Sequence, residues 1–181
     1  MNFFSVFSLS FLFNVSQSLA QNPKLNALIP VGFSILDSKK CDINLDGIFD
    51  YIVILKSDKE TVETEVRRPL LIVEGRKNGS LKLVQRNDKV VLCYDCGGVF
   101  GDPYEGIAVK KNYFSIEHYG GSNWRWTRII TFKYDFKLKK YMLHKDAGIS
   151  YHTSEPDKTE QLAHHKKSWG KTEFKNYSSD F

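Results

Sequence analysis

The stretch WRWTRIITFKYDF, residues 124–136, decides the fold class because large apolar and polar side chains alternate along it. Successive side chains of a β-strand point to opposite faces, so this period of two predicts a strand with one buried face. The predicted buried face carries Trp124, Trp126, Ile130, Phe132, Tyr134 and Phe136. The opposite face carries Arg125, Thr127, Lys133 and Asp135.

Further short β-rich runs lie on both sides of this strand. DYIVILK (50–56) is apolar on both faces, as expected for a central strand. RPLLIVEG (68–75) and SLKLVQR (80–86) flank Asn78-Gly79, which predicts a two-residue hairpin turn. The remaining candidates are GIAVK and NYFSIEHY, which meet at a Lys-Lys-Asn turn, and KYMLHKD.

These runs amount to about seven or eight strands, most of them joined to their neighbours in sequence. Such strands pair antiparallel, so we predict an all-β fold, an antiparallel meander that forms a sandwich or a partly open barrel. The predicted β domain spans residues 21–154. The polar residues 155–181 lack a sustained apolar period and are predicted to form an irregular C-terminal extension, a tail or a loosely docked segment.

The length and composition suit a single domain, and the N-terminal residues suggest that it is exported. The chain has 181 residues, 41% of them apolar, and a net charge of +5 with scattered lysines, so a nucleic-acid partner is not predicted. Residues 1–21 carry no charge, and the apolar run from Phe3 to Val15 is too short to span a membrane. With Ser18-Leu19-Ala20 after it, this run predicts a signal peptide over 1–20 and a periplasmic or secreted product that is not membrane-embedded. A buried N-terminal strand is the alternative.

Export affects the interpretation of the cysteines. In an oxidising compartment Cys93 and Cys96, within CYDC, are predicted to form a disulfide, which leaves Cys41 unpaired. A redox dithiol site and a zinc site are the alternatives. The redox site would need a helix that Gly97-Gly98 disfavours, and zinc would need further ligands that the sequence does not supply.

The segment CDINLDGIFDY (41–51) predicts a calcium site. Counted from Asp42, side-chain oxygens fall at positions 1, 3, 5 and 9, and a glycine at position 6 permits a sharp turn. The predicted ligands are Asp42, Asn44, Asp46, the Ile48 carbonyl and Asp50, with water completing the shell. Calcium would have a structural role at the start of the central strand. The alternative is a polar Asx-rich turn.

The same loop resembles the DxNxDGxxD calcium loops of FG-GAP and VCBS-type repeats, over residues 42 to about 55 and in a single copy. The phrases RPLLIVEG, VVLCYDCGGVFGDPYEGI and FSIEHYGGSNWRWTRIITFKYD together resemble a group of uncharacterised exported bacterial proteins. That resemblance implies a bacterial envelope location and no particular activity.

A second candidate site surrounds the glycine-rich segment. In EHYGGSNWRW the tryptophans suggest a sugar platform, but the alternation of residues 124–136 assigns them to the core. Arg128 lies on the same predicted face and needs a buried partner, for which Asp102, Glu105 or Glu117 are candidates. These four residues are the possible ligand site.

No catalytic motif is present in the sequence. We therefore predict an exported, calcium-binding, all-β binding or structural module. The alternatives are a hydrolase that uses the carboxylates around the glycine loop, and a partner or inhibitor of another envelope protein. The expected partner is a protein or a glycan.

Overall fold

The computed structural model describes residues 22–61 and 66–180. The predicted signal peptide therefore lies outside the described residues. Within them the chain is 55% strand and forms two antiparallel sheets of four and five strands that do not close into a barrel. The all-β prediction is confirmed, and the arrangement is a sandwich.

The strands pair in sequence order within each sheet. The four-stranded sheet contains β1 (Phe33–Cys41), β2 (Asp50–Ser57), β3 (Arg68–Gly75) and β4 (Leu81–Val91). The five-stranded sheet contains β5 (Tyr104–Lys110), β6 (Tyr113–Gly121), β7 (Trp124–Asp135), β8 (Lys140–His152) and β9 (Thr159–Ala163). A short helix, α1 (Pro23–Asn26), precedes β1, and two 3-10 turns follow β9 at Lys166–Ser168 and Phe174–Asn176.

The central strand β2 is buried on both faces, as its sequence predicts. Ile52 and Ile54 face the core between the sheets, whereas Val53 and Leu55 face a second cluster on the outer side of the four-stranded sheet. The helix residue Leu25, only 3% exposed, belongs to that second cluster. The N-terminal segment thus covers an apolar sheet face that water would otherwise reach.

The β7 pattern is confirmed in the centre of the strand and fails at its ends. Ile130 and Phe132 are fully buried and Arg128 is 3% exposed, so the predicted inner face is correct there. The prediction that Trp124 and Phe136 are core residues is wrong, because they are 56% and 51% exposed. Trp124 is the first residue of β7, and Phe136 is the residue after its end.

The C-terminal segment is more closely packed than a loosely docked extension. Residues Thr159–Ala163 form β9 on the edge of the five-stranded sheet. Phe174 is fully buried and Tyr177 is 3% exposed, and both belong to the core between the sheets. Asn87 Nδ2 donates to the carbonyl oxygens of Phe174 and Tyr177. The segment after residue 154 therefore completes the sandwich.

Two further details concern strand boundaries. The β3–β4 turn occupies residues 76–80 because Gly75 pairs with Leu81, so it is longer than the predicted two-residue turn. Gly79 has φ of +75° in this turn, a conformation that favours glycine.

In the part of the chain that the structure covers, we find no helix with the length and apolar character to cross a membrane.

Candidate functional site

The predicted calcium loop connects β1 to β2 and is folded around its own side chains. Asp42 Oδ1 and Oδ2 accept from the backbone N–H groups of Asp46 and Gly47, both at 3.0 Å. Asn44 Oδ1 also accepts from Asp46 N at 3.0 Å, and its Nδ2 donates to Asp46 Oδ2 at 3.1 Å. Asp46 Oδ1 accepts from Ile48 N at 2.8 Å. The loop thus brings the first three predicted ligands together.

The fourth predicted side-chain ligand, Asp50, is bonded to backbone N–H groups at the base of the loop. It is fully buried, and its carboxylate oxygens accept from Ile43 N at 3.1 Å and Gly75 N at 3.0 Å. Burial raises the pKa of Asp50 to about 6, although the two hydrogen bonds lower it. The nearby charges of Glu74 and Asp46 add to the rise. Asp50 therefore anchors the loop to the end of β3.

The loop supplies some of the oxygen ligands that a calcium ion requires. Asp42, Asn44 and Asp46 offer hard oxygens at one place, as calcium requires, and none of Asp42, Asp46 and Asp50 forms an ion pair with Lys or Arg among the described residues. In residues 22–61 and 66–180, however, no three His, Cys, Asp or Glu side chains are grouped as metal ligands. A calcium ion here would be held by Asp42, Asn44 and Asp46, with Ile48 O and water.

The cysteine prediction is confirmed as a Cys93–Cys96 disulfide, and Cys41 is not part of a disulfide. Burial raises the pKa of the Cys41 thiol to about 12, with the charges of Asp50 and Asp42 adding to the effect. Cys41 is thus a poor nucleophile, because the reactive species is the thiolate.

The glycine-rich segment after the disulfide packs directly on the end of β6. Gly121 N donates to Gly97 O at 2.9 Å, and Gly97 N donates to Gly101 O at 2.7 Å. A Cβ at Gly120 would lie 2.5 Å from Trp126 Cζ2 and 2.9 Å from the Gly97 backbone, so only glycine fits. The glycines therefore permit a backbone-to-backbone contact and a tryptophan ring packed against it.

A cavity of about 730 Å³ opens beside this contact, in the size range of small-molecule sites. Its walls come from β7, β8 and β9, from the disulfide loop and from the C-terminal segment. The apolar wall residues are Leu92, Cys96, Trp126 and Leu162, and the polar ones include Thr127, Arg128, Ser150 and His164. Arg67 and Asp180 also line it, and they form an ion pair at 2.8 Å.

Arg128, in the wall of this cavity, has a buried partner that sequence analysis did not identify. Its Nε and Nη2 donate to Asp146 at 2.9 and 2.8 Å, and its Nη1 donates to Ser179 O at 3.0 Å. Its observed partner is therefore Asp146, which was not among the candidates Asp102, Glu105 and Glu117. Burial alone would raise the pKa of Asp146, but the hydrogen bonds and charge of Arg128 hold it below its usual value.

The predicted ligand residues are divided among three places. Asp102 accepts two hydrogen bonds from Arg68, at 2.7 and 2.8 Å, and Arg68 also binds Glu60. Glu105 and Glu117 line a shallow groove of about 230 Å³. Arg128 lies in the larger cavity. The four side chains therefore do not form one site.

No protein-family model, curated protein or solved structure matches this chain. The class of protein is thus defined by the structure alone: a two-sheet antiparallel β-sandwich with an aspartate-rich loop and a partly apolar cavity. The two features are far apart. Burial raises the pKa of Tyr134, and the charges of Glu74, Asp46 and Asp50 add to the rise, so the aspartate-rich loop lies near this end of β7. Arg128 is six positions before Tyr134, about 20 Å along the strand.

Proposed function

We propose that the protein is an exported, calcium-stabilised binding module whose ligand occupies the 730 Å³ cavity. The observation that supports this most strongly is the cavity itself. It combines a tryptophan, two leucines and a disulfide with hydroxyl, imidazole and guanidinium groups. Ligand sites typically combine such an apolar lining with a few polar groups that orient the ligand.

The buried network around Arg128 supports a preformed site. Tyr177 Oη donates to Asp146 Oδ2 at 2.7 Å, and the Asp146 carboxylate accepts both Arg128 bonds. A cavity wall held by such a network keeps its shape before the ligand arrives, which lowers the entropic cost of binding. The expected ligand is a compact, largely apolar molecule with hydrogen-bonding groups at one end.

Binding of the apolar fluorescent dye 1-anilinonaphthalene-8-sulfonate tests the cavity. We expect the folded protein to bind the dye, and we expect Leu162→Trp to abolish binding by filling the cavity. Leu138→Trp is the matched control, because Leu138 is 55% exposed and does not line the cavity. Equal dye binding by both variants, each with an unchanged melting temperature, would refute a ligand site in this cavity.

Calcium would stabilise the opposite end of the sandwich through Asp42, Asn44 and Asp46. A ligand that binds only the folded state raises the free energy of unfolding by about 2.7 kcal/mol at 100 times its Kd. We therefore expect calcium to raise the melting temperature of the wild type and to have no effect on Asp46→Asn. Asp88→Asn, at an exposed ion pair with Arg86, is the control and should respond as the wild type does. If millimolar calcium leaves the melting temperature of the wild type unchanged, calcium binding at this loop is excluded.

A hydrolase is the second candidate, favoured by the groove that Glu105 and Glu117 line. Among the described residues neither carboxylate forms an ion pair, so both are available to act as acid and base. Hydrolysis of aryl glycosides that is lost in Glu117→Gln and retained in the exposed control Glu160→Gln would support it. Absence of turnover across such substrates would count against it.

A further inference from the structure

The outer face of the five-stranded sheet carries an arginine in an unusual position. Arg125 pairs in register with Tyr151 on β8 and with Gly121 on β6. The Phe100 ring from the glycine-rich loop stacks on Arg125, with the guanidinium carbon 4.1 Å from the ring centroid. The loop is held there by Val99 N, which donates to Gly121 O at 3.3 Å.

Within the residues that the structure describes, the Arg125 guanidinium has no hydrogen-bond acceptor. Its Nη1 is buried and makes no hydrogen bond, and among the described residues Arg125 forms no ion pair. Buried donors are nearly always paired, and leaving a charged donor unpaired is costly. Another arginine near an aromatic ring, Arg86 beside Phe33, binds the Asp88 carboxylate at 2.6 Å. Arg125 is thus closer to its ring, at 4.1 Å, than Arg86, at 5.9 Å, but has no carboxylate partner in the described part of the chain.

The groups around Arg125 are aromatic rings with hydroxyl groups. The Tyr119 ring lies 5.5 Å from the Phe100 ring, and Tyr151 lies directly across from Arg125. Tyr119 pairs with Thr127, which lies two residues along β7 from Arg125 and on the same sheet face. The two hydroxyls and the guanidinium therefore lie on one surface. Phe100, 46% exposed, adds an accessible ring beside them.

We propose that Arg125, Phe100, Tyr119 and Tyr151 form a second binding site, which recognises the carboxylate of an acidic sugar unit. The Arg125 Nε and Nη2 groups, rather than the buried Nη1, would supply the paired donors that a carboxylate accepts. The rings would pack against the apolar face of the pyranose, and the tyrosine hydroxyls would bond its hydroxyl groups. The net charge of +5 favours the approach of a polyanionic glycan. This site is on the outer sheet face and does not depend on the cavity ligand.

Calorimetric titration with tetragalacturonate and with its neutral methyl ester tests the proposal. We expect the acid to bind and the ester to bind at least about tenfold more weakly. Arg125→Gln should lose at least about tenfold in affinity for the acid, because both changes remove a charge-assisted hydrogen bond. Arg86→Gln is the matched control and should bind as the wild type does.

Two further measurements separate the acidic sugar from other oxyanions and from misfolding. Tyr151→Phe removes one hydroxyl and keeps the ring, so it should weaken tetragalacturonate binding while the melting temperature stays within about 2 °C, as expected for a surface substitution. Binding of a sulfated sugar or inorganic sulfate in preference to tetragalacturonate would overturn the carboxylate assignment. Equal affinity of wild type and Arg125→Gln, or equal affinity for acid and ester, would overturn the site.

Discussion

Replacement of Asp146 by Asn removes one negative charge from the core with almost no change in shape. Asp146 is fully buried and accepts two hydrogen bonds from Arg128, which is 3% exposed, and one from Tyr177. Removing one partner of a buried ion pair typically costs about 3–5 kcal/mol, because the other charge is left uncompensated. For a domain of this size that corresponds to a fall in melting temperature of roughly 6–20 °C.

Urea denaturation at pH 7 measures this effect, and Asp88→Asn is the control. The Asp88–Arg86 pair has similar distances but is nearly 40% exposed on both sides, so its loss should cost at most about 1 kcal/mol. A combined Arg128→Leu and Asp146→Leu variant should recover part of the loss, since no unpaired charge remains. If Asp146→Asn costs no more than Asp88→Asn, the reasoning about the buried charge is refuted.

The pH dependence of the same variant provides an independent check. The pKa of Asp146 is held below its ordinary value in the folded protein, so its contribution to stability is present above the unfolded-state pKa and is lost as the pH falls through the folded one. The wild type should therefore lose its advantage over Asp146→Asn in acid. If the difference in free energy of unfolding between wild type and Asp146→Asn stays constant as the pH falls, the pKa of Asp146 is not lowered in the folded protein.

Three other predictions concern the loop, the core and the glycine contact. Because burial raises the pKa of Asp50 to about 6, above the unfolded value, the calcium-free wild type should gain stability relative to Asp50→Asn between pH 7 and pH 5, and no gain in urea titrations would contradict this. Phe174→Ala should lower the free energy of unfolding by about 3–5 kcal/mol, whereas Phe136→Ala, at an exposed ring, should cost much less. Gly120→Ala should cost about 1–3 kcal/mol in thermal denaturation because its Cβ would meet Trp126, and an unchanged melting temperature would show that the contact is loose.

The fold class could be predicted because the decisive strands carry their burial pattern locally. In β2 the run IVIL is apolar on both faces, and in the centre of β7 the alternation around Ile130 and Phe132 matches the two sides of a sandwich. The N-terminal strand β1 (Phe33–Cys41) lacks such a pattern, since most of its residues are only partly buried. Phe174 and Tyr177 lie in a 3-10 turn and the residue after it, so no strand or helix period marks them as core residues.

The candidate sites depend on contacts between residues that are distant in sequence, and this limited their prediction. Alternation alone placed Arg128 on the inner face, but its partner Asp146 follows from the register of β7 with β8, in which Ile130 pairs with Asp146. In the same way, the position of Phe100 over Arg125 requires the glycine-rich loop to pack beside Gly121. Alternation assigns Arg125 to the exposed face, but it does not show that the guanidinium is covered by a ring and lacks an acceptor. That combination is produced by the packing of two distant glycine segments, and it is the physical basis for proposing a ligand carboxylate there.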